Sequence, residues 1–200
     1  MRARALGAAV VGLMVLVAGG CAPPKTQLTV PLEYRVDSSL SPKTALPTTT
    51  GLRLFLEVTD DRAEKDRIGE NIEETTPKPI HAGVQEPAEF VKDAVTRELA
   101  GLGMMVVGEE AKANRTLTLH LIKFYCVETS TYDADIRANA EVREGGKVLW
   151  SALVLGDKRN FGRSLSVQNY QEVFSGAVQE LVAKIVGDSG FQRAVSVEAR

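Results

Sequence analysis

Three places in the sequence hold residue types able to do chemistry. The first is Cys21, preceded by Ala18, Gly19 and Gly20. A thiol is the one side chain there that is readily alkylated, for instance by a diacylglycerol group. Small residues before it let an extended chain enter a peptidase cleft. The second place is Asp60-Asp61-Arg62. Two carboxylates beside a cation suit metal binding or acid–base work; the simpler reading is a turn, with Asp bonding its own backbone and Arg62 neutralising a neighbour. The third is the pair of histidines, His81 and His120. They do not form a recognisable metal spacing, and the expectation is an exposed loop residue at His81 and a half-buried strand residue at His120.

The catalytic signatures that sequence can show are not there. No Gly-x-Ser-x-Gly elbow or Ser-x-x-Lys occurs, and neither a GxGxxG fingerprint nor a Walker-type loop is present. No catalytic residue, cofactor or metal is therefore assigned, and the domain is expected not to be an enzyme. The aromatic residues Phe124, Tyr125, Tyr132, Trp150, Phe161 and Tyr170 read as core, with a ligand groove as the rival reading. Cys126 lies in an apolar run and reads as a buried, inert thiol.

The N-terminus reads as an export signal. Arg2 and Arg4 are followed by twelve apolar or small residues from Leu6 to Val17. That length fits a signal-peptide core and is short of the roughly 20 residues a membrane span needs. With the tetrapeptide ending at Cys21, the segment resembles the bacterial lipobox, although Ala18 stands where Leu is usual. The resemblance implies cleavage before Cys21 and acylation of its thiol. Two or three acyl chains anchor a protein stably where one binds reversibly. Ala22 takes the place where Asp signals inner-membrane retention, which implies an outer-membrane anchor facing the periplasm.

The 200 residues carry 44% apolar and 25% charged side chains, enough for a core without disulfides. Net charge is −2. Loss of residues 1–20 takes Lys and Arg from 24 to 22 against 26 acids, giving −4. A mildly acidic chain argues against nucleic-acid binding and against a polybasic lipid-binding patch.

These groups need elements to hold them. Residues 28–36 alternate as a first strand, limited to an edge by Pro31, and residues 37–50 read as linker. Residues 52–58 form a stronger strand. Residues 63–86 are polar with Pro77 and Pro79, a long connection in which a hairpin around 72–80 is conceivable but unassigned. A helix is predicted over 87–102, stopped by Gly101 and Gly103. A short strand follows at 104–107, then strands at 116–127, 132–143 and 148–155, the last two joined by the Gly145-Gly146 turn. Residues 156–166 read as a polar loop and 169–186 as a helix. The predicted organisation is a signal peptide over 1–20, a lipidated tether over 21–50, one periplasmic domain over 51–190 and a loose tail over 191–200. The fold class is α+β, with two main helices on one face of a mixed, mostly antiparallel sheet in the order β-(long loop)-α-β-β-β-β-α.

The pattern resembles the YajG-type family of bacterial lipoproteins. The matching pieces are the strand ending in Val58-Thr59-Asp60-Asp61-Arg62, then Ile68-Gly69, the helix with Val95, Leu99 and Gly103, the strand Leu117-Thr118-Leu119, the Gly145-Gly146 hairpin and the closing amphipathic helix. This chain has a longer insertion after Gly69. The resemblance implies an envelope lipoprotein and no catalytic residues.

The expected role is that of a lipid-anchored binding domain. Its partners would be the membrane, through acyl chains on Cys21, and another envelope protein. Asp60, Asp61, Arg62, Ile68 and Gly69 are the candidate partner-binding residues. No small-molecule substrate is identified. An auxiliary lipoprotein of an envelope ABC-type transport system is one alternative, and an envelope ligand carrier or hydrolase is another.

Overall fold

A computed structural model describes residues 27–37, 39 and 51–196. The signal segment and Cys21 lie outside the described residues. Within them, eight strands form one sheet and three α-helices cover one of its faces. The strands are β1 (Leu28–Val30), β2 (Leu54–Asp60), β3 (Arg67–Asn71), β4 (Lys78–Ala82), β5 (Val106–Val107), β6 (Arg115–Glu128), β7 (Thr131–Glu144) and β8 (Lys147–Phe161). The helices are α1 (Pro87–Gly101), α2 (Val167–Gly187) and α3 (Ser189–Val195).

The fold class is as the periodicity predicts. The long pairings β6–β7 and β7–β8 are antiparallel, while β1–β4, β2–β5, β2–β6 and β3–β6 are parallel. β6 is the organising strand. Its one edge carries all of β7. Its other edge carries β2 along residues 115–121 and β3 along residues 126–128, end to end. β2 and β3 are thus one strand line broken by residues 61–66. Opposite the break, β6 itself has an irregularity between Leu121 and Lys123. The inward residues are Leu117, Leu119 and Leu121 before it, and Phe124, Cys126 and Glu128 after it. A bulge of this kind inserts one residue and reverses the alternation beyond it.

The core sits between sheet and helices. Phe124 stacks on Phe174 of α2 at 4.2 Å and meets Phe90 of α1 edge-on at 5.9 Å, so one side chain of the sheet binds both helices. α1 begins at Pro87, where the missing N–H costs nothing, and ends in a Schellman motif. The Met104 N–H donates to the Leu99 carbonyl and the Gly103 N–H to that of Ala100, with Gly103 at φ +85°. α2 starts under a Ser166 side chain that accepts from the Asn169 N–H. The Gly145-Gly146 turn has φ of +52° and +85°, which places both central residues in the left-handed region required by a two-residue hairpin.

Four expectations need correction. The domain starts at Leu28 rather than at 51. Val30 and Leu32 are buried, and residues 31–37 run as a strap across α2. There the Gln171 amide donates to the Pro31 carbonyl, Ser175 Oγ accepts from the Arg35 N–H, and the Gln179 amide donates to the Asp37 carbonyl. These three side chains lie four residues apart and so share one face of the helix. Residues 63–86 contain the β3–β4 hairpin, whose strands each bring one buried aliphatic side chain, Ile68 and Ile80. β8 runs on to Phe161, through residues expected in a loop. The segment expected as a loose tail forms α3 as far as Val195, with Phe191 buried against Trp150.

Candidate functional site

The Asp60–Arg62 segment fills the break between β2 and β3. Arg62 is only 7% exposed. Its Nε and one terminal nitrogen donate to the two oxygens of Asp60 at 2.9 and 2.8 Å, and the remaining N–H groups donate to the carbonyls of Lys65, Arg67 and Phe124. All five guanidinium donors are used. The Asp61 N–H donates to the Leu121 carbonyl. The break would leave β6 carbonyls unpaired, and Asp61 and Arg62 satisfy them. Burial pushes the Asp60 carboxyl up, but the Arg62 hydrogen bonds and charge outweigh this and hold it below the usual carboxylate range. Ile68 is buried and Gly69 backs onto β6. Of the five residues singled out by the motif, Asp60, Arg62, Ile68 and Gly69 do structural work in the broken strand line.

Asp61 is different. Its carboxylate points to the helix-free face, where Asp61 Oδ2 is 3.2 Å and Thr59 Oγ1 2.9 Å from His120 Nδ1. An ionised Asp61 can only accept here, whereas the Thr59 hydroxyl can donate or accept. His120 is half-exposed on β6, as the alternation predicts. His81 is not an exposed loop residue. It belongs to β4, with Nδ1 2.8 Å from the Asp66 carbonyl oxygen and Nε2 buried without a partner.

His120 opens into a groove of about 680 Å³ on the helix-free face. Glu57, Thr116, Thr118, Glu141 and Arg143 line its floor and walls. The β7–β8 turn and the short 3-10 turn Glu110–Lys112 close one end. Arg115, at its rim, is ion-paired with Glu144. The lining includes no serine or cysteine. Further along this face run charge pairs, including Lys123 and Arg137 on Asp135 and Arg159 on Asp133. Burial pushes the Asp135 carboxyl up, and its two cations more than reverse that.

A second polar cluster lies inside the core, and sequence reasoning missed it. Glu128 is fully buried. It accepts hydrogen bonds from Tyr170 Oη and, at 2.7 Å, from the Leu165 N–H. Burial pushes its carboxyl up, but bonds from Tyr170, Asn71, the Leu165 backbone and Ser164 prevail and keep it below the usual range. Tyr132 stands edge-on to Tyr170 at 4.9 Å and accepts from the Ser166 N–H at 3.0 Å. The cluster ties the loop after β8 and the start of α2 to the end of β6. Leu165 takes φ +53° to reach Glu128, a conformation that costs a non-glycine residue on the order of 1 kcal/mol or more. Cys126, next to this cluster, is buried, and burial raises its thiol pKa, which suppresses the reactive thiolate. Of the aromatic candidates, Phe124, Tyr132, Trp150 and Tyr170 are core; Tyr125 lies under Arg67 at 5.7 Å, and Phe161 is 74% exposed.

Among the described residues no cluster of three or more His, Cys, Asp or Glu is placed to hold a metal, and no helix is long and apolar enough to cross a membrane.

No family model matches the sequence, and no curated protein matches it. Solved structures do. A protein of family DUF330 from Xanthomonas campestris is 14% identical over 80% of this chain and 92% of its own, with a TM-score of 0.53. An uncharacterized protein is 10% identical over 80% and 97%, with a TM-score of 0.52. A looser likeness is to a lipoprotein of Neisseria meningitidis, 9% identical over 58% and 90%, at 0.37. The first two share this fold.

Proposed function

We propose that this chain is a lipid-anchored lipoprotein of the bacterial cell envelope, facing the periplasm from the outer membrane, and that its domain works by binding another envelope protein rather than by catalysis. The anchor reading rests on Cys21 and the segment before it. The kinship with the YajG type rests on the sequence pattern. The observation that supports a binding role is the polar groove on the helix-free face. All three helices cover the other face, so this one is left to solvent or to a partner. Arg143 is paired with Glu141 and Arg115 with Glu144, so a partner meets side chains that are partly preorganised.

The test is a photo-crosslinking residue placed at position 143, in the groove, or at position 100, exposed on α1, in the lipidated protein in intact cells. Position 143 is expected to give a defined adduct with an envelope protein that position 100 does not. Monomer alone from both positions would contradict the reading. An adduct with a membrane transporter would narrow it to a transport auxiliary.

One observation favours a second reading, a carrier or hydrolase. His120, backed by Asp61 and Thr59, is oriented as a general base on the groove wall. With no serine or cysteine in the lining, it would have to act on water or on a bound ligand.

A further inference from the structure

We infer that the domain stands on the bilayer by one end of its sheet, with Phe161 and Ile72 against the lipid surface and the His120 groove pointed away from it. This rests on the lipid anchor proposed above and adds its geometry.

Chain lengths decide the orientation. Seven peptide steps separate Cys21 from Leu28. Fully extended they span at most about 25 Å. Leu28 pairs with Ile80, Ile80 with Gly69, and Gly69 with Cys126, so the chain enters the sheet level with Cys126. One sheet end is close to that level. There β3 finishes at Asn71, β6 at Glu128 and β8 at Phe161, which pairs with Thr131. It is only two to three residues away, roughly 7–10 Å, and an anchored chain covers that distance with length to spare. The other end carries the groove, Arg115 and the Gly145-Gly146 turn. Arg115 is eleven residues back along β6 from Cys126, roughly 36 Å at strand rise. An inverted domain, resting on its groove end, would need the anchor to cover that distance, and it is too short.

The near end offers apolar side chains for such a contact; Met105 and Val148 are exposed at the groove end as well, so length and not apolarity decides the orientation. Phe161 is 74% exposed and Ile72 is 40% exposed, a large apolar residue on each side of the same sheet end. Glu73, Glu74, Lys78 and Arg163 surround them with mixed charge, so the end is not held by a basic patch. Contact is apolar and shallow, a supplement to the anchor rather than a substitute for it. The consequence is positional. The groove, from His120 to Arg115, is presented roughly 25–40 Å above the sheet end that meets the lipid, within reach of a partner standing in the periplasm and out of reach of headgroups.

The test uses the lipidated protein, purified from cells, in phosphatidylcholine–phosphatidylglycerol vesicles whose acyl chains carry bromine, a contact quencher of indole fluorescence. The native protein has one tryptophan, Trp150, buried against Phe191, which sets the background emission. Val148→Trp adds a reporter at the groove end, where position 148 is 44% exposed and pairs with Arg143. Phe161→Trp adds a reporter at the near end, at a site exposed enough to accept the larger ring. Vesicle flotation is measured on both variants. The expected result is that both float, that the emission added at position 148 is the same in brominated and ordinary vesicles, and that the emission added at position 161 is mostly lost in brominated ones. If both float and the emission added at position 161 survives, or if that at position 148 is quenched equally, the orientation is wrong while the anchor stands. If neither floats, the anchor itself fails, and the orientation with it.

Discussion

Gly69 of β3 lies so close to Cys126 of β6 that a Cβ on it would come within 2.4 Å of the Cys126 carbonyl oxygen. No other residue type fits that parallel pairing without moving a backbone. The glycine is therefore a condition for resuming the strand line beyond residues 61–66, and it explains why Ile-Gly follows Asp-x-Arg at this spacing.

Gly69→Ala is expected to destabilise the domain by on the order of 2–3 kcal/mol, the range of overpacking in a tight site. Gly101→Ala, where a Cβ meets nothing within 4 Å and φ is not positive, should be neutral or stabilise by up to about 1 kcal/mol. Urea denaturation of the two variants checks the contrast. Equal midpoints would show that the β3–β6 approach is looser than described.

Arg62→Met removes a cation whose five donors are all engaged, leaving Asp60, with only 14% of its side chain exposed, without its cation. The expected loss is about 3–5 kcal/mol. Arg62→Lys should recover little of it, because an ammonium presents donors from one point and cannot reach two carboxylate oxygens and three carbonyls together. A lysine variant as stable as the native protein would contradict this account of the motif.

Asp60 and Glu128 both have carboxyls held below their ordinary range. For groups depressed on folding, the stabilisation is complete above the unfolded pKa of about 4 and is lost as pH falls through the folded value. Stability should thus be flat near neutrality and fall below about pH 4. Glu128→Gln should lower stability at pH 7 and shallow the acid decline. The denaturation midpoint measured across pH decides it, and an unchanged acid slope in the variant would count against Glu128 as a buried anion.

Residues 28–37 belong to the domain. Leu32, the strap's own buried side chain, should cost about 2–5 kcal/mol on conversion to Ala. A thermal melt indistinguishable from the native one would return this segment to the role of tether.

Much of this architecture was legible in the sequence. The two long helices, the β6–β7–β8 meander and the Gly145-Gly146 turn all follow from period and turn chemistry. What escaped has particular causes. β3 and β4 are five residues each, polar, and carry Gly69 and Pro79, so local preference runs against strand; tertiary pairing with β6 and β1 decides. β8 outruns its expected end at residue 155 because Gly156 reads as a breaker. In the fold it is where α2 approaches, with the Ala177 carbonyl oxygen 1.9 Å from where a Cβ would sit. Glu128 was invisible as an inward residue because the alternation of Leu117, Leu119 and Leu121 places it outward, and only the bulge at Ile122 reverses that parity. The Gln171, Ser175 and Gln179 stripe was a usable signal, since polar residues four apart on an otherwise buried helix mark a covering segment. Alternation puts His120 on its strand, but its link to Asp61 and Thr59 depends on β2 lying parallel beside β6, a long-range fact no local pattern contains.

The central claim is that acyl chains on Cys21 hold this fold at a membrane. Intact-mass spectrometry of the protein isolated from its native envelope tests it most directly. The account predicts a chain that begins at Cys21 and carries the mass of a diacylglyceryl group, with or without a further acyl chain. A chain that begins at any other residue, or at Cys21 without lipid mass, would contradict it.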